Sequence, residues 1–321
     1  MDFVITVLVT GGAGFIGSHF VCSLVNRHPD WRIINFDNLD YCSNLRNLES
    51  VEENENYTFI RVRELLKNID IVFHFAAQTQ TSFIWPSRYH MVNVEGTRVL
   101  LKAASEAKVE KFILISTDEV YGESLYKVNE TSPRRPSNPY SVSKAATECL
   151  VLSYRERHKF PVIITRSNNV YEPKQYLEKV NIVSISVVPN LFCTIQGTSP
   201  QSRHFLYVDD AIEAFHTILE RGMVGETYNI GTDFKISIIQ LARELIKMEG
   251  YNWLEFVPDR GMKYKGITLF RKLWRLGWKP AVSWAEDIRR TVKWYQDNPD
   301  FWPDVKPEDQ PNTFEPDTRD Q

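Results

Sequence analysis

Tyr140 and Lys144 stand four residues apart, and a hydroxyl followed by two adjacent carboxylates, Thr117, Asp118 and Glu119, precedes them in the chain. A phenol has a pKa near ~10 and is a poor base at neutral pH. An ammonium beside it favours the phenolate, and a cationic ring nearby would do so further. Thr117 can donate or accept a hydrogen bond at the same oxygen. Such a set withdraws the proton of a carbinol, provided that something else takes the hydride. The Asp–Glu pair points to a further proton-transfer event beyond simple oxidation.

A hydride acceptor is suggested by Gly11, Gly14 and Gly17, spaced Gly-x-x-Gly-x-x-Gly behind a β-branched run. In such a loop one glycine permits the tight turn, one lets the backbone approach a pyrophosphate, and one packs the helix onto the strand. The helix that follows offers unpaired N–H groups to the phosphates. Asp37 comes twenty residues after Gly17, at the end of the second expected strand. A carboxylate there suits a ribose diol and repels a 2′-phosphate, so NAD is expected rather than NADP.

The elements that must position these residues follow a regular alternation. Strands are expected at 4–10, 32–36, 57–60, 71–75, 111–116 and 162–165, with helices at 15–26, 93–107 and 140–158. That order predicts an α/β fold, a doubly wound parallel sheet of Rossmann type. Asn138 is suited to cap the third helix, with Pro139 at its first position. Tyr140 and Lys144 then share one helical face. Beyond about residue 171 the pattern is irregular, although 205–208 and 210–221 again read as strand and helix, and 236–248 and 284–298 as later helices. The expected organisation is a dinucleotide-binding domain over 1–168, with 203–222 returning to it. A smaller, mixed substrate domain takes 169–202 and 223–302, and 303–321, rich in Pro, Asp and Glu, reads as a tail.

The chain has 321 residues, 43% of them hydrophobic and 25% charged, enough for a large α/β domain and a smaller one. A formal net charge of −3 gives no reason to expect nucleic acid or an anionic membrane as partner. Cys22, Cys42, Cys149 and Cys193 have no metal-ligand spacing and read as reduced thiols of a cytoplasmic enzyme; no metal is expected. The apolar N-terminus lacks a basic leader and is broken by glycines, unlike a signal peptide. No apolar run reaches the ~20 residues that cross a bilayer; the greasiest stretch, 180–195, is interrupted by Asn181, Ser184, Ser186, Pro189 and Asn190.

Taken together these motifs resemble the extended short-chain dehydrogenase/reductase family, and within it the nucleotide-sugar 4,6-dehydratases. The resemblance runs from Val7 to Trp294. It includes Thr10–Gly17, Asp37, His74-Phe75-Ala76-Ala77, Asn93–Thr97, Ser116–Gly122, Tyr140–Lys144, Arg166–Tyr171, Gln201-Ser202-Arg203, Tyr228–Gly231 and Leu276–Pro280. It implies NAD held by Gly11, Gly14, Phe15, Ile16, Gly17, Asp37 and Ala76 together with Tyr140 and Lys144. It also implies that Tyr140, helped by Thr117 and Lys144, takes the proton of the sugar 4-hydroxyl. Glu119 then takes the C5 proton and Asp118 protonates the departing 6-hydroxyl. The resemblance assigns Asn169, Arg203 and Asn229 to substrate phosphates or base, and Lys179 to the phosphate side; Arg203 is suited to bidentate pairing with a pyrophosphate. The expected substrate is a nucleotide hexose, dTDP-glucose or UDP-glucose, and the expected assembly a homodimer through 93–107 and 140–158. An epimerase or decarboxylase is the enzymatic alternative, against which Asp118 argues. An NAD-binding interaction protein with impaired catalysis is the other.

The chain departs from that family's pattern at four places. Only residues 61–70 separate the third and fourth strands, at the limit of ~10–12 residues for a crossover with a helix. The loop after Ala77 is shortened at 78–82, and 259–264 reads as a contracted nucleotide-binding loop. Glu172 stands where a glycine of positive φ is expected, a conformation Glu adopts reluctantly.

Overall fold

The computed structural model of the chain describes residues 3–61, 68–79, 86–122, 127–176, 193–196, 202–237, 240–241, 243–244, 254–257 and 268–302, with backbone alone at 86, 193–196, 202–203 and 254–257. Seven parallel strands form the main sheet. They are β1 (Ile5–Thr10), β2 (Trp31–Phe36), β3 (Tyr57–Ile60), β4 (Ile71–His74), β5 (Lys111–Thr117), β6 (Val162–Ser167) and β10 (Thr227–Ile230), in the order β10-β6-β5-β4-β1-β2-β3. A three-stranded mixed sheet joins β7 (Asn169–Tyr171), β9 (Ser202–Tyr207) and β11 (Lys235–Ser237), and β8 (Cys193–Gln196) pairs with β12 (Leu254–Val257). The helices are α1 (Phe15–Arg27), α2 (Pro86–Tyr89), α3 (Gly96–Ala107), α4 (Pro139–His158), α5 (Val208–Arg221), α6 (Arg271–Arg275) and α7 (Trp284–Asp297). A π-turn, His90–Glu95, leads from α2 into α3.

Period-two alternation sends neighbouring strand residues to opposite faces. Val7, Val9, Phe73, Ile113 and Ile163 pack with Phe20 and Leu24 of α1 and Phe215 and Ile218 of α5. Leu8, Val72, Phe112, Leu114 and Ile164 pack with Leu101 and Ala104 of α3 and Val151 of α4. Both faces are therefore covered, which explains why these strands read as continuous apolar runs. Strand order reverses between β1 and β4. The crevice beyond their carboxyl ends is where open α/β sheets take ligands.

The doubly wound parallel sheet is as the sequence predicts; two local features differ. Thr227–Ile230, placed by the sequence reading among residues of the smaller domain, pairs with β6 in the large sheet. Glu172 does not adopt positive φ; the left-handed residue of that turn is Lys174, at φ 71. Pro173 explains the shift, since the residue before proline is driven to extended backbone. The Glu172 carboxylate lies 3.2 Å from His19 Nε2 and so ties the end of β7 to α1. Of the short β3–β4 connection, residues 62–67 lie outside the described residues. Its end is anchored where Asp70 Oδ2 accepts from Thr6 N at 2.6 Å. The contracted stretches at 80–82 and 259–264 also lie outside the described residues.

Asp287 of α7 is 1% exposed and its pKa is pushed up to about 6 by burial, with Glu286, Asp210 and Asp209 adding repulsion and Arg290 opposing it. Because the folded value exceeds the unfolded one, ionising Asp287 costs stability. That cost is absent below pH ~4, grows up to about pH 6 and is complete above it. Asp287→Asn is therefore expected to stabilise the fold by about 2 kcal/mol at pH 7.5, with the advantage vanishing near pH 4. Urea melts at the two pH values check this, and an advantage equal at both would refute it.

Candidate active site

The glycine loop forms where β1 ends. Gly11 takes φ 75, and a Cβ there would fall 2.6 Å from Ala76 N, so only glycine lets β1 and β4 close on one another. A Cβ on Gly17 would lie 2.3 Å from Gly11 O, which keeps the first turn of α1 against the loop. Gly14 caps α1 without a side chain, and no acidic residue occupies the first turn. Phe15 and Ile16 begin that turn, leaving its N–H groups for an anion. Asp37 is buried, accepting from Ala13 N (2.9 Å) and Leu39 N (2.8 Å). A carboxylate has about four acceptor positions, so it can hold the loop and still accept from a diol. Uncapped N–H groups, a cradle that a Cβ would fill and a buried carboxylate at its side fit a dinucleotide such as NAD.

Beneath the loop a polar frame joins β1, β4, the π-turn, α3 and α4. Thr97 Oγ1 donates to Asn93 O (2.5 Å), so it accepts from His74 Nε2 (2.8 Å), and His74 Nδ1 in turn accepts from Thr10 Oγ1 (2.7 Å). Burial drives His74 to a pKa of about 3 and keeps it neutral, as this relay requires. Asn93 also binds Gln78 N (2.7 Å), Gln78 O (3.1 Å) and Ser143 Oγ on α4 (2.8 Å).

The acid–base residues converge at the end of β5. Thr117 terminates the strand and accepts from Glu119 N (3.2 Å), winding Asp118–Tyr121 into a single tight turn. Asn138 caps α4, as expected, and Tyr140 begins its first turn. Thr117 hydrogen-bonds the Tyr140 phenol, and both Glu119 and Asp118 lie close enough to disfavour its ionisation. Asp118 Oδ2 accepts from Asn168 Nδ2 (2.9 Å), and Glu119 Oε2 from Asn138 Nδ2 (3.0 Å).

The balance at Tyr140 differs from the sequence expectation. Burial first, then Glu119 and Asp118, push the phenol well above its ordinary range. Lys144 Nζ donates to Ile115 O at 2.6 Å, and its own pKa falls to about 8 through burial, with Glu148 opposing. Within the polypeptide, desolvation and the acid pair outweigh the hydrogen bond from Thr117, and the phenol stays neutral.

A buried ion pair stands behind the site. Arg166 of β6 donates to Glu148 through Nε (2.9 Å) and Nη2 (2.6 Å), and Glu148 Oε1 also accepts from Ser116 Oγ (2.7 Å). Arg166 Nη1 donates to the Tyr121 hydroxyl (2.8 Å), which donates to Asn229 Oδ1 (2.7 Å). This network fixes the Asp118–Tyr121 turn between α4 and β10. Motif spacing does not reveal it. One signal was present, since an arginine at the end of a buried strand that begins Val-Ile-Ile requires a buried acceptor.

The expected substrate residues are distributed unevenly. Asn169 is half-buried at the start of β7, one residue after the Asn168 that holds Asp118. Asn229 is 0% exposed, and both ends of its amide are engaged, with Tyr121 and with Leu269 O (2.9 Å). These bonds join it to the Asp118–Tyr121 turn and to the chain at Leu269. Arg203 lies on β9, but its side chain is outside the described residues, as is all of Lys179. Among the described residues no cluster of His, Cys, Asp and Glu could hold a metal, and no helix is long and apolar enough to cross a membrane.

Residues 7–231 match the family described as NAD dependent epimerase/dehydratase. The dTDP-D-glucose 4,6-dehydratase of Bos taurus is 49% identical over 340 aligned positions, covering 98% of this chain and 95% of that one. The aligned positions outnumber the 321 residues here, so that relative carries segments this chain lacks. Among solved structures, the dTDP-glucose 4,6-dehydratase DesIV of Streptomyces venezuelae, crystallised with NAD, superposes with a TM-score of 0.87 at 32% identity, over 93% of this chain and 99% of that one. The UDP-glucuronic acid 4-epimerase of Bacillus cereus, with UDP-glucuronic acid and NAD, gives a TM-score of 0.82 at 29% identity, over 91% and 99%. The family match, and the near-complete coverage of a relative at 49% identity, establish that the chain belongs to the NAD dependent epimerase/dehydratase family.

Proposed function

We propose that the protein is an NAD-dependent nucleotide-sugar 4,6-dehydratase whose substrate is dTDP-glucose. The observation that carries this reading is the Asp118–Glu119 pair close enough to the Tyr140 phenol to disfavour its ionisation, with Thr117 hydrogen-bonded to that phenol. An epimerase needs a redox site at C4 but no adjacent acid and base. Dehydration needs both, because a proton and a hydroxyl leave neighbouring carbons. NAD would be held by the Gly11–Gly17 loop and Asp37, and when bound would supply the hydride acceptor for C4, the hydride donor for C6 and a cationic charge that offsets the bias found in the polypeptide.

Tyr140 takes the proton of the 4-hydroxyl, which Thr117 orients, and Lys144 favours the phenolate. The C4 ketone acidifies the hydrogen on C5. Glu119 removes that proton while Asp118 protonates the 6-hydroxyl and water departs, and Glu119 gives a proton back to C5 when the hydride is returned to C6. Asn169, Arg203 and Asn229 are assigned to the phosphates or base of the nucleotide, and Lys179 to the phosphate side. Incubating the purified protein and NAD with dTDP-, UDP-, CDP- and GDP-hexoses and assaying 4-keto-6-deoxy product tests the reading; no product from any of them refutes it.

Two further expectations follow. NADP should bind on the order of 10-fold more weakly than NAD, since the buried Asp37 carboxylate opposes a second phosphate. Titration of both cofactors checks this, and equal affinities would remove the ribose role of Asp37. The assembly is a homodimer through α3 and α4. Val99 is 48% and Val142 50% exposed, and Met91 at the adjoining π-turn is exposed as well. Light scattering should give a dimer mass that falls to the monomer in a Val99→Glu/Val142→Glu variant; a monomeric wild type refutes the assignment. A cytoplasmic location belongs to the same reading, supported by the thiols of Cys22 and Cys149, which form no disulfide.

A further inference from the structure

Asn138 makes more contacts than a helix cap requires. Its Oδ1 accepts from Ser141 N (2.8 Å), and its own N–H donates to Ser141 Oγ (3.1 Å), which closes a reciprocal cap at the start of α4. Its Nδ2 is left over and donates to Glu119 Oε2 at 3.0 Å. Serine, threonine and aspartate cap helices as well as asparagine does. Of the four, only asparagine carries acceptor and donor on separate atoms, so that one serves the helix while the other reaches a carboxylate. Tyr140 lies two residues beyond the cap, so the same side chain links the phenol's helix to the turn that carries Glu119.

We infer that Asn138 is a positioning residue for the elimination half of the reaction, its amide holding Glu119 ionised and aimed at the C5 hydrogen. The inference rests on the dehydratase reading given above. An N–H donor aimed at a carboxylate oxygen favours the charged form. Asp118 is held separately, by Asn168, so the two carboxylates are oriented by different elements and can be perturbed one at a time.

The test uses the full chain with NAD and whichever nucleotide hexose the wild type converts. Asn138→Asp and Asn138→Ser both keep a capping acceptor, so α4 is retained, as circular dichroism and thermal melting would show. Two steps are then followed as a function of pH: C4 oxidation by NADH absorbance, and C5 hydrogen exchange by deuterium incorporation. Loss of one charge-assisted hydrogen bond predicts C5 exchange slower by about 10- to 100-fold in both variants. C4 oxidation should stay within about 3-fold of wild type. In Asn138→Asp the new carboxylate faces Glu119 and opposes its ionisation, so the acid limb of the exchange profile should move up by about one pH unit. An exchange profile that superimposes on wild type would overturn the inference, and so would equal slowing of oxidation and exchange, the mark of a displaced helix. A wild type that converts no nucleotide hexose would defeat the dehydratase reading itself, and the inference with it.

Discussion

Tyr140→Phe is expected to lose C4 oxidation by ~10²–10⁴-fold while keeping its fold and its affinity for NAD. The substitution removes one oxygen and leaves the ring, which packs edge-on to Tyr89 with centroids 6.2 Å apart. The hydroxyl's partner, Thr117, also accepts from Glu119 N, so the turn carrying the acid pair survives the loss. The expected defect is therefore confined to chemistry. Single-turnover mixing of enzyme, NAD and nucleotide hexose, followed at the absorbance of reduced nicotinamide, gives the rate. A near-normal transient would place the base elsewhere. The phenol's environment explains why the loss should be large. Burial, Glu119 and Asp118 all disfavour the phenolate in the polypeptide. The site ionises Tyr140 only with cationic charge supplied nearby, and no carboxylate in that setting could take over its proton from the 4-hydroxyl without surrendering its own role.

What could be read from the chain and what could not divide along physical lines. The glycine spacing, Asp37 and the alternation of strands and helices depend on local backbone chemistry, and the fold follows them closely. Thr117, Tyr140 and the cap at Asn138 were legible because each sits at the end of an element, where sequence signals are strongest. Thr227–Ile230 was assigned to the wrong layer because nothing local marks a short strand as the last member of a sheet begun over two hundred residues earlier. The bonds of the Asn229 amide to Tyr121 and Leu269 could not be read from its motif, since both partners are remote in sequence. Asn168, inside the Arg166–Tyr171 motif, had no role assigned to it, and Glu148 was not singled out. Their partners, Asp118 and Arg166, are 50 and 18 residues distant in sequence; the packing of β6 beside β5 joins the first pair and that of α4 against β6 the second. The sign of the balance at Tyr140 also required the fold, since desolvation has no signature in spacing.

The second large effect concerns the acid pair, and it separates dehydration from simple redox chemistry. Glu119→Gln keeps the size of the side chain and an oxygen able to accept from Asn138 Nδ2, but it removes the base for the C5 proton. Oxidation at C4 depends on Tyr140 and should persist, helped by the loss of a negative charge that disfavours the phenolate. Added nucleotide hexose should then leave the cofactor partly reduced, with 4-keto-6-deoxy product down by ~10²–10⁴-fold and C5 exchange slowed in parallel. Asp118→Asn should behave differently. Asn168 can still bond the amide oxygen that replaces Oδ2, and Glu119 can still take the C5 proton, so exchange with solvent deuterium should continue. Expulsion of the 6-hydroxyl lacks its acid and should become the slow step. The two variants thus divide one elimination into its halves, proton removal without Asp118 and neither half without Glu119. Measuring reduced cofactor and C5 deuterium for both decides the assignment. Wild-type elimination in both variants would show that the pair takes no part, leaving a site that oxidises and re-reduces C4, as an epimerase does.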